Sequence, residues 1–248
     1  MKEIHLKLNN VTKRFGGLIA LNKVNLEIGK GEFLGLIGPN GSGKTTLINV
    51  VTGVYKPDGG RIFFENMEIT GLKPYKICKL GISRTFQIPR LFVNLTALEN
   101  VVVGIIYGEK KRKVSVSDAR KTAEEILTLL DFPKSKWNMP AGKLPYLDCK
   151  VIEIARALAT NPRLMFLDEP FGGLSPVEIE RATEIIKDVK KELGITMVLI
   201  EHVMKAIVKL AERVVVLNHG VKIAEGPPKV VLNDKEVITA YLGERIVA

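Results

Sequence analysis

The segment Gly38-Pro39-Asn40-Gly41-Ser42-Gly43-Lys44-Thr45 has the spacing G-x-x-x-x-G-K-[ST]. Glycines at those places let the backbone curl until successive N–H groups point inward at phosphate oxygens. A helix opening at Thr45-Thr46 adds its positive end to the same anion. In such a loop Lys44 reaches the β- and γ-phosphates, and the Thr45 hydroxyl binds Mg²⁺. Residues 38–46 are therefore expected to hold a nucleotide. A second constellation lies at Leu164-Met165-Phe166-Leu167-Asp168-Glu169. Four apolar residues form a buried strand, and two acids sit at its carboxyl end, where open α/β sheets bind ligands. Asp168 is placed to hold Mg²⁺ through water. Glu169 is placed to orient and polarise an attacking water.

The elements that must position these groups are legible around them. Residues 4–28 alternate, with Ile4, Leu6, Leu8, Leu21, Val24, Leu26 and Ile28 on one face, and break at Phe15-Gly16-Gly17. This pattern predicts two strands with one buried face. Phe33-Leu34-Gly35-Leu36-Ile37 is a strand buried on both sides. Lys56-Pro57-Asp58-Gly59-Gly60 is a turn before the strand Arg61-Ile62-Phe63-Phe64. Ala119, Ala123, Ile126, Leu127 and Leu130 have helical period, with Ser117 or Asp118 as N-cap. Residues 148–159 form another helix. Strand character returns at 164–167, 196–200 and 213–217, with helices between. The reading is an α/β core of residues 1–87 and 157–248, interrupted by a helical insertion over 88–156.

The chain has 248 residues, enough to bury a sizeable core. Lys and Arg number 37 against 27 Asp and Glu, a net charge of +10 that favours anionic partners such as nucleotides, nucleic acid or an anionic membrane surface. Aromatics are only 6%, which argues against a base-stacking surface. The basic run Lys110-Lys111-Arg112-Lys113 is read as a solvated loop. The two cysteines, Cys78 and Cys149, allow no disulfide framework or zinc spacing and are expected to be small buried hydrophobes. The segment Met1–Leu6 lacks the apolar core of a signal peptide, and no stretch is apolar enough to span a bilayer. The expectation is a cytoplasmic protein without direct membrane insertion.

With these motifs on the page, the whole chain resembles the ATP-binding cassette (ABC) ATPases. The resemblance implies an α/β P-loop fold of ABC type: a mixed or parallel β core, an antiparallel β subdomain and an inserted helical subdomain. It implies ATP and Mg²⁺ as cofactors. Gln87 in Arg84-Thr85-Phe86-Gln87 looks like the family's glutamine loop, which senses Mg²⁺ and the attacking water. His202 looks like the switch histidine that contacts the γ-phosphate, and Phe15 occupies the place of the aromatic that stacks on adenine. Gly173-Leu174-Ser175-Pro176 resembles the D-loop. Lys13-Arg14-Phe15-Gly16-Gly17-Leu18, Gly81-Ile82-Ser83-Arg84-Thr85-Phe86-Gln87 and Tyr241-Leu242-Gly243-Glu244 look like the cassettes of branched-chain amino-acid importers, relatives of those for urea uptake and lipopolysaccharide export.

The chain departs from the family at its signature. Leu-Ser-Tyr-Gly-Gln is replaced by Leu144-Pro145-Tyr146-Leu147-Asp148, between matching flanks Ala141-Gly142-Lys143 and Ile154-Ala155-Arg156-Ala157-Leu158. Pro145 lacks both hydroxyl and N–H, Leu147 blocks close backbone approach, and Asp148 brings a negative charge toward phosphate. In the family the signature of one cassette faces the ATP of the other. The implied assembly is then a heterodimer with a second, intact cassette, together with membrane permease subunits, at the cytoplasmic face of the membrane. Leu91 and Phe92 are the expected docking surface for the permeases. The implied activity is ATP hydrolysis that drives import. Two alternatives are a regulatory cassette with little hydrolysis, and a soluble ABC ATPase acting on ribosomes or nucleic acid; no nucleic-acid partner is expected.

Overall fold

The computed structural model describes residues 3–108 and 114–242. The basic run at 110–113, the first two residues and Gly243-Glu244 of the closing phrase lie outside the described residues. In chain order the elements are β1 (Ile4–Phe15), β2 (Leu18–Gly29), β3 (Phe33–Ile37), α1 (Lys44–Val51), β4 (Gly59–Phe64), β5 (Met67–Glu68), α2 (Pro74–Lys79), β6 (Ile82–Arg84) and α3 (Ala97–Gly108). Then come α4 (Val116–Leu129), α5 (Tyr146–Leu158), β7 (Leu164–Asp168), α6 (Pro176–Leu193), β8 (Thr196–Ile200), α7 (Met204–Leu210), β9 (Arg213–Asn218), β10 (Val221–Gly226), α8 (Pro228–Val231) and α9 (Lys235–Leu242). The backbone divides at Ile77/Cys78 and Ile195/Thr196 into two compact units.

The first unit holds both chain ends. β1 and β2 pair antiparallel as a long hairpin, and β4 and β5 extend that sheet in the order β2-β1-β4-β5. Leu6, Leu8, Val11, Leu21, Leu26 and Ile28 are its buried face, as the alternation requires. The hairpin reverses at Gly16, whose φ of +57° suits glycine. In the other sheet of this unit β3 lies parallel between β8 and β9, with β10 antiparallel on β9. All five residues of β3 and all five of β8 are buried, so continuous apolar runs rather than alternation mark them.

The second unit contains the parallel pair β6–β7, in register from Ile82 opposite Leu164 to Arg84 opposite Phe166, and helices α3 to α6. The predicted insertion lies inside this unit, which also takes in β6, β7 and α6. Helix α5 runs on to Leu158, so the expected boundary at 156 falls within a helix. The N-cap of α4 is Ser115, not Ser117 or Asp118: its hydroxyl accepts from the Asp118 N–H at 3.1 Å and donates to the Asp118 carboxylate at 2.7 Å. Helix α6 opens on a capping box of Ser175 and Glu178 with Pro176 in the first turn, and ends at Gly194 with φ +60°. The D-loop serine therefore has a structural task at the start of α6. Both cysteines are only half-buried; burial pushes each thiol pKa up, which keeps them protonated and unreactive.

Candidate functional site

In the first unit the loop from Gly38 to Gly43 joins the buried strand β3 to α1. Gly43, with φ +106°, is the N-cap, and Lys44, Thr45 and Thr46 form the first turn. The glycines are required by space as well as by torsion. A Cβ on Gly38 would lie 2.1 Å from the Leu217 carbonyl oxygen, and one on Gly43 would lie 2.6 Å from that of Ala20. The Ser42 carbonyl accepts from the Gly220 N–H at 2.9 Å, which ties the loop to the β9–β10 turn. Lys44 is buried, and its ammonium donates to the carbonyls of Gly38 at 2.7 Å and Pro39 at 2.9 Å, with Ser42 Oγ at 3.4 Å. A cation thus stands at the centre of the curl, seated on carbonyl dipoles, with Asn40, Gly41 and Thr45 exposed beside it. That is a cradle for an anion.

Phe15, at the end of β1, is 41% exposed and receives the ring of Tyr55 edge-on, centroids 5.2 Å apart at 77°. Lys13 Nζ stands 5.4 Å from the same ring. The Asp58 carboxylate holds this corner: it accepts from the Arg14 N–H at 2.6 Å and from Lys13 Nζ at 3.2 Å. The Phe15 ring is partly exposed, as a stacking platform requires. His202 follows β8 and is exposed. The buried Glu201 carboxylate accepts from the His202 N–H at 2.9 Å and the Val203 N–H at 3.3 Å, so the turn that presents the imidazole is braced from beneath.

In the second unit the β6–β7 register brings the glutamine loop beside the acidic pair. The Thr85 N–H donates to the Phe166 carbonyl at 2.9 Å, and the Asp168 N–H donates to Thr85 Oγ1 at 3.2 Å. Asp168 is buried, and Arg84 Nη2 holds its carboxylate at 3.0 Å. Burial raises the Asp168 pKa and the Arg84 charge partly offsets that rise. Gln87 Nε2 donates to Glu169 Oε2 at 2.7 Å. Glu169 sits at φ +47°, a conformation costing a non-glycine residue about 1–3 kcal/mol and frequent at active sites. Lys150 on α5 supports it: its buried ammonium donates to the Gln87 carbonyl at 2.6 Å and the Glu169 carbonyl at 3.1 Å. Arg84, Lys150 and Glu201 escaped the sequence reading. Each is an ion beside a motif residue, and no spacing rule marks it.

Residues 144–148, expected from the sequence to be an altered signature, lead into α5. Pro145 is the N-cap, Tyr146 begins the helix, and both are exposed. Gly173 lies against the Tyr146 ring. Leu147 and Asp148 are buried. The expectation that Asp148 projects its charge toward phosphate needs correction here: its carboxylate is turned inward and paired with Lys136 Nζ at 2.5 Å. Around the glutamine loop, Leu91 is half-buried while Ile88, Phe92 and Val93 are 74%, 49% and 58% exposed. The exposed apolar side chains here are thus Ile88 and Val93 as well as Phe92.

The phosphate loop fits a nucleoside triphosphate: there is no room for a Cβ at Gly38 or Gly43, Lys44 supplies a cation, and Thr45 is exposed beside it. Among the described residues no group of three His, Cys, Asp or Glu could hold a metal. Magnesium on a nucleotide needs none, because phosphate oxygens and waters supply most ligands.

Comparison with known proteins shows the family of the chain. Residues 21–172 match the family described as ABC transporter, and residues 221–246 match the branched-chain amino acid ATP-binding cassette transporter family. The chain is 38% identical to the high-affinity branched-chain amino acid transport ATP-binding protein LivG of Escherichia coli K12, over 98% of this chain and 100% of that one. It is 39% identical to BraF of Pseudomonas aeruginosa, over 96% and 98%. A solved ATP-binding cassette of an ABC transporter in its ADP conformation aligns with a TM-score of 0.87 at 36% identity, over 98% of this chain and 100% of that one. A dimeric cassette bound to ADP and Pi aligns with a TM-score of 0.80 at 32% identity, over 90% and 98%.

Proposed function

The chain belongs to the ABC transporter family, as an ATPase of the α/β P-loop fold that energises transport, and from that premise we propose that it is the ATP-hydrolysing subunit of an importer for branched-chain or other hydrophobic amino acids. The observation that carries the nucleotide reading is the buried Lys44 ammonium, seated on the carbonyls of Gly38 and Pro39 inside a glycine loop. The substrate class rests on the full-length likeness to LivG and BraF and on the C-terminal match.

Each residue then has a task. Backbone N–H groups between Gly38 and Thr46 surround the phosphates, and Lys44 exchanges carbonyl partners for β- and γ-phosphate oxygens. Phe15 stacks on adenine. Thr45, Gln87 and Asp168 are the residues that would hold Mg²⁺, which would supply charge neutralisation to the phosphates. Glu169 accepts a hydrogen bond from the attacking water and polarises it; Gln87 holds its carboxylate and Lys150 its backbone carbonyl. His202 donates to the γ-phosphate.

The exposed patch of Ile88, Phe92 and Val93 receives the permease subunits, which hold the chain at the cytoplasmic face of the membrane. Among the described residues no helix is long and apolar enough to cross a bilayer. A second cassette with an intact signature is the proposed partner, because Pro145 can supply neither hydroxyl nor N–H to the ATP of the opposite subunit. The regulatory reading draws on the same proline. Glu169 in contact with Gln87 speaks for chemistry at this chain's own site.

Glu169→Gln in the assembled transporter tests the proposal. ATP turnover should fall by at least tenfold while nucleotide binding persists; unchanged turnover would assign the chemistry to the partner alone.

A further inference from the structure

The nucleotide reading leaves α9 without a task, yet this helix reaches the phosphate loop. Its start is seated by Asp234, whose carboxylate accepts from the Glu236 N–H at 2.8 Å and whose carbonyl accepts from the Ile238 N–H at 2.9 Å. Val237 is 2% exposed and anchors the helix in the core of the first unit. Tyr241 lies one turn further along the same face. Its hydroxyl accepts a hydrogen bond from the Gly38 N–H at 2.7 Å. Burial pushes the Tyr241 pKa up, so the hydroxyl stays neutral.

Gly38 is the first residue of the phosphate loop and is gripped on both peptide groups. Its N–H is held by Tyr241, and its carbonyl accepts from Lys44 at 2.7 Å. The second grip is temporary if Lys44 is to reach phosphate. The first is independent of the ammonium, because its donor is the Gly38 N–H and its acceptor the Tyr241 hydroxyl. Without the hydroxyl, the buried N–H has lost its partner just when Lys44 departs, and the loop must be ordered at the expense of nucleotide binding.

We propose that Tyr241 is a positioning residue of the nucleotide site: through the Gly38 N–H, the C-terminal helix holds the phosphate loop in its anion-binding curl after Lys44 has left the Gly38 carbonyl. This inference rests on the nucleotide reading above.

Tyr241→Phe removes the hydroxyl and keeps the ring. Titration calorimetry of the full chain with Mg-ATP and with Mg-ADP should show Kd raised about five- to tenfold for both, the weight of one buried hydrogen bond. Amide exchange at residues 38–45 should quicken in the same variant. Val237→Ala, which loosens α9 without touching the loop, should move Kd in the same direction. A lowered melting temperature with unchanged Kd in Tyr241→Phe would mean ordinary packing and overturn the proposal. A wild-type chain that fails to bind Mg-ATP would overturn the nucleotide reading and this inference with it. Binding by the wild type and equal binding by the variant would overturn only the inference.

Discussion

The Asp148 carboxylate is buried at the first turn of α5 and paired with Lys136 at 2.5 Å. The negative charge of this segment is therefore compensated within its own subunit. On the proposed reading of residues 144–148 as an altered signature, what the segment lacks is a hydroxyl and N–H at residue 145 and a small side chain at residue 147. In the assembled transporter, Asp148→Asn should change ATP turnover less than twofold. Pro145→Ser combined with Leu147→Gly should raise it. Lys136→Met, which leaves a buried carboxylate unpaired, should lower stability by about 1.5–3 kcal/mol in a denaturant melt.

Lys150 grips the backbone of Gln87 and Glu169 together, so its removal should damage chemistry more than binding. We expect Lys150→Met to lower kcat about tenfold or more in the assembled complex with KM for ATP within a factor of two. Lys150→Arg, which keeps a donor cation, should retain most of the rate. Equal loss in both variants, or a loss confined to KM, would remove Lys150 from the account.

Glu153 accepts from the Arg90 N–H at 3.2 Å and is buried, and burial raises its pKa above the ordinary 4.5. The native state then binds more protons than the unfolded chain between the two pKa values. Stability contributed by protonated Glu153 is present below 4.5 and is lost as pH rises toward the folded value. Glu153→Gln keeps the acceptor and removes the titration. Its stability should fall less steeply than wild type over that window in pH-dependent denaturation; parallel curves would contradict the assignment.

Phe15 is 41% exposed, with the Tyr55 ring in an edge contact and Lys13 Nζ 5.4 Å from the ring centre. Phe15→Ala should weaken Mg-ATP binding about tenfold, the order of one base–aromatic stack, while Phe15→Trp should preserve it. The measurement is competition between ATP and inorganic triphosphate: only ATP should lose affinity in the alanine variant.

The strands, the glycine loop and the acidic pair were legible because each has a periodicity or a spacing of its own. Phe33–Ile37 and Leu164–Leu167 read as buried strands and are β3 and β7. The cap of α4 was misplaced because Ser115, Ser117 and Asp118 all satisfy a local capping rule, and only the helix start chooses among them. Asp148 was legible as a charge but not as a pair, since Lys136 lies twelve residues away across an irregular segment. Lys150 carried no signal, and Tyr241 was legible only as part of a family phrase and not as a partner of the phosphate loop. Their partners are backbone groups of Gln87, Glu169 and Gly38, and no side-chain pattern reports a backbone partner.

The central claim is that residues 38–46 hold a triphosphate through Lys44. Calorimetric titration of the chain with Mg-ATP tests it most directly. The account predicts saturable binding to one site per chain that Lys44→Ala abolishes while the melting transition survives. Absence of binding by the wild-type protein, or equal binding by Lys44→Ala, would contradict it.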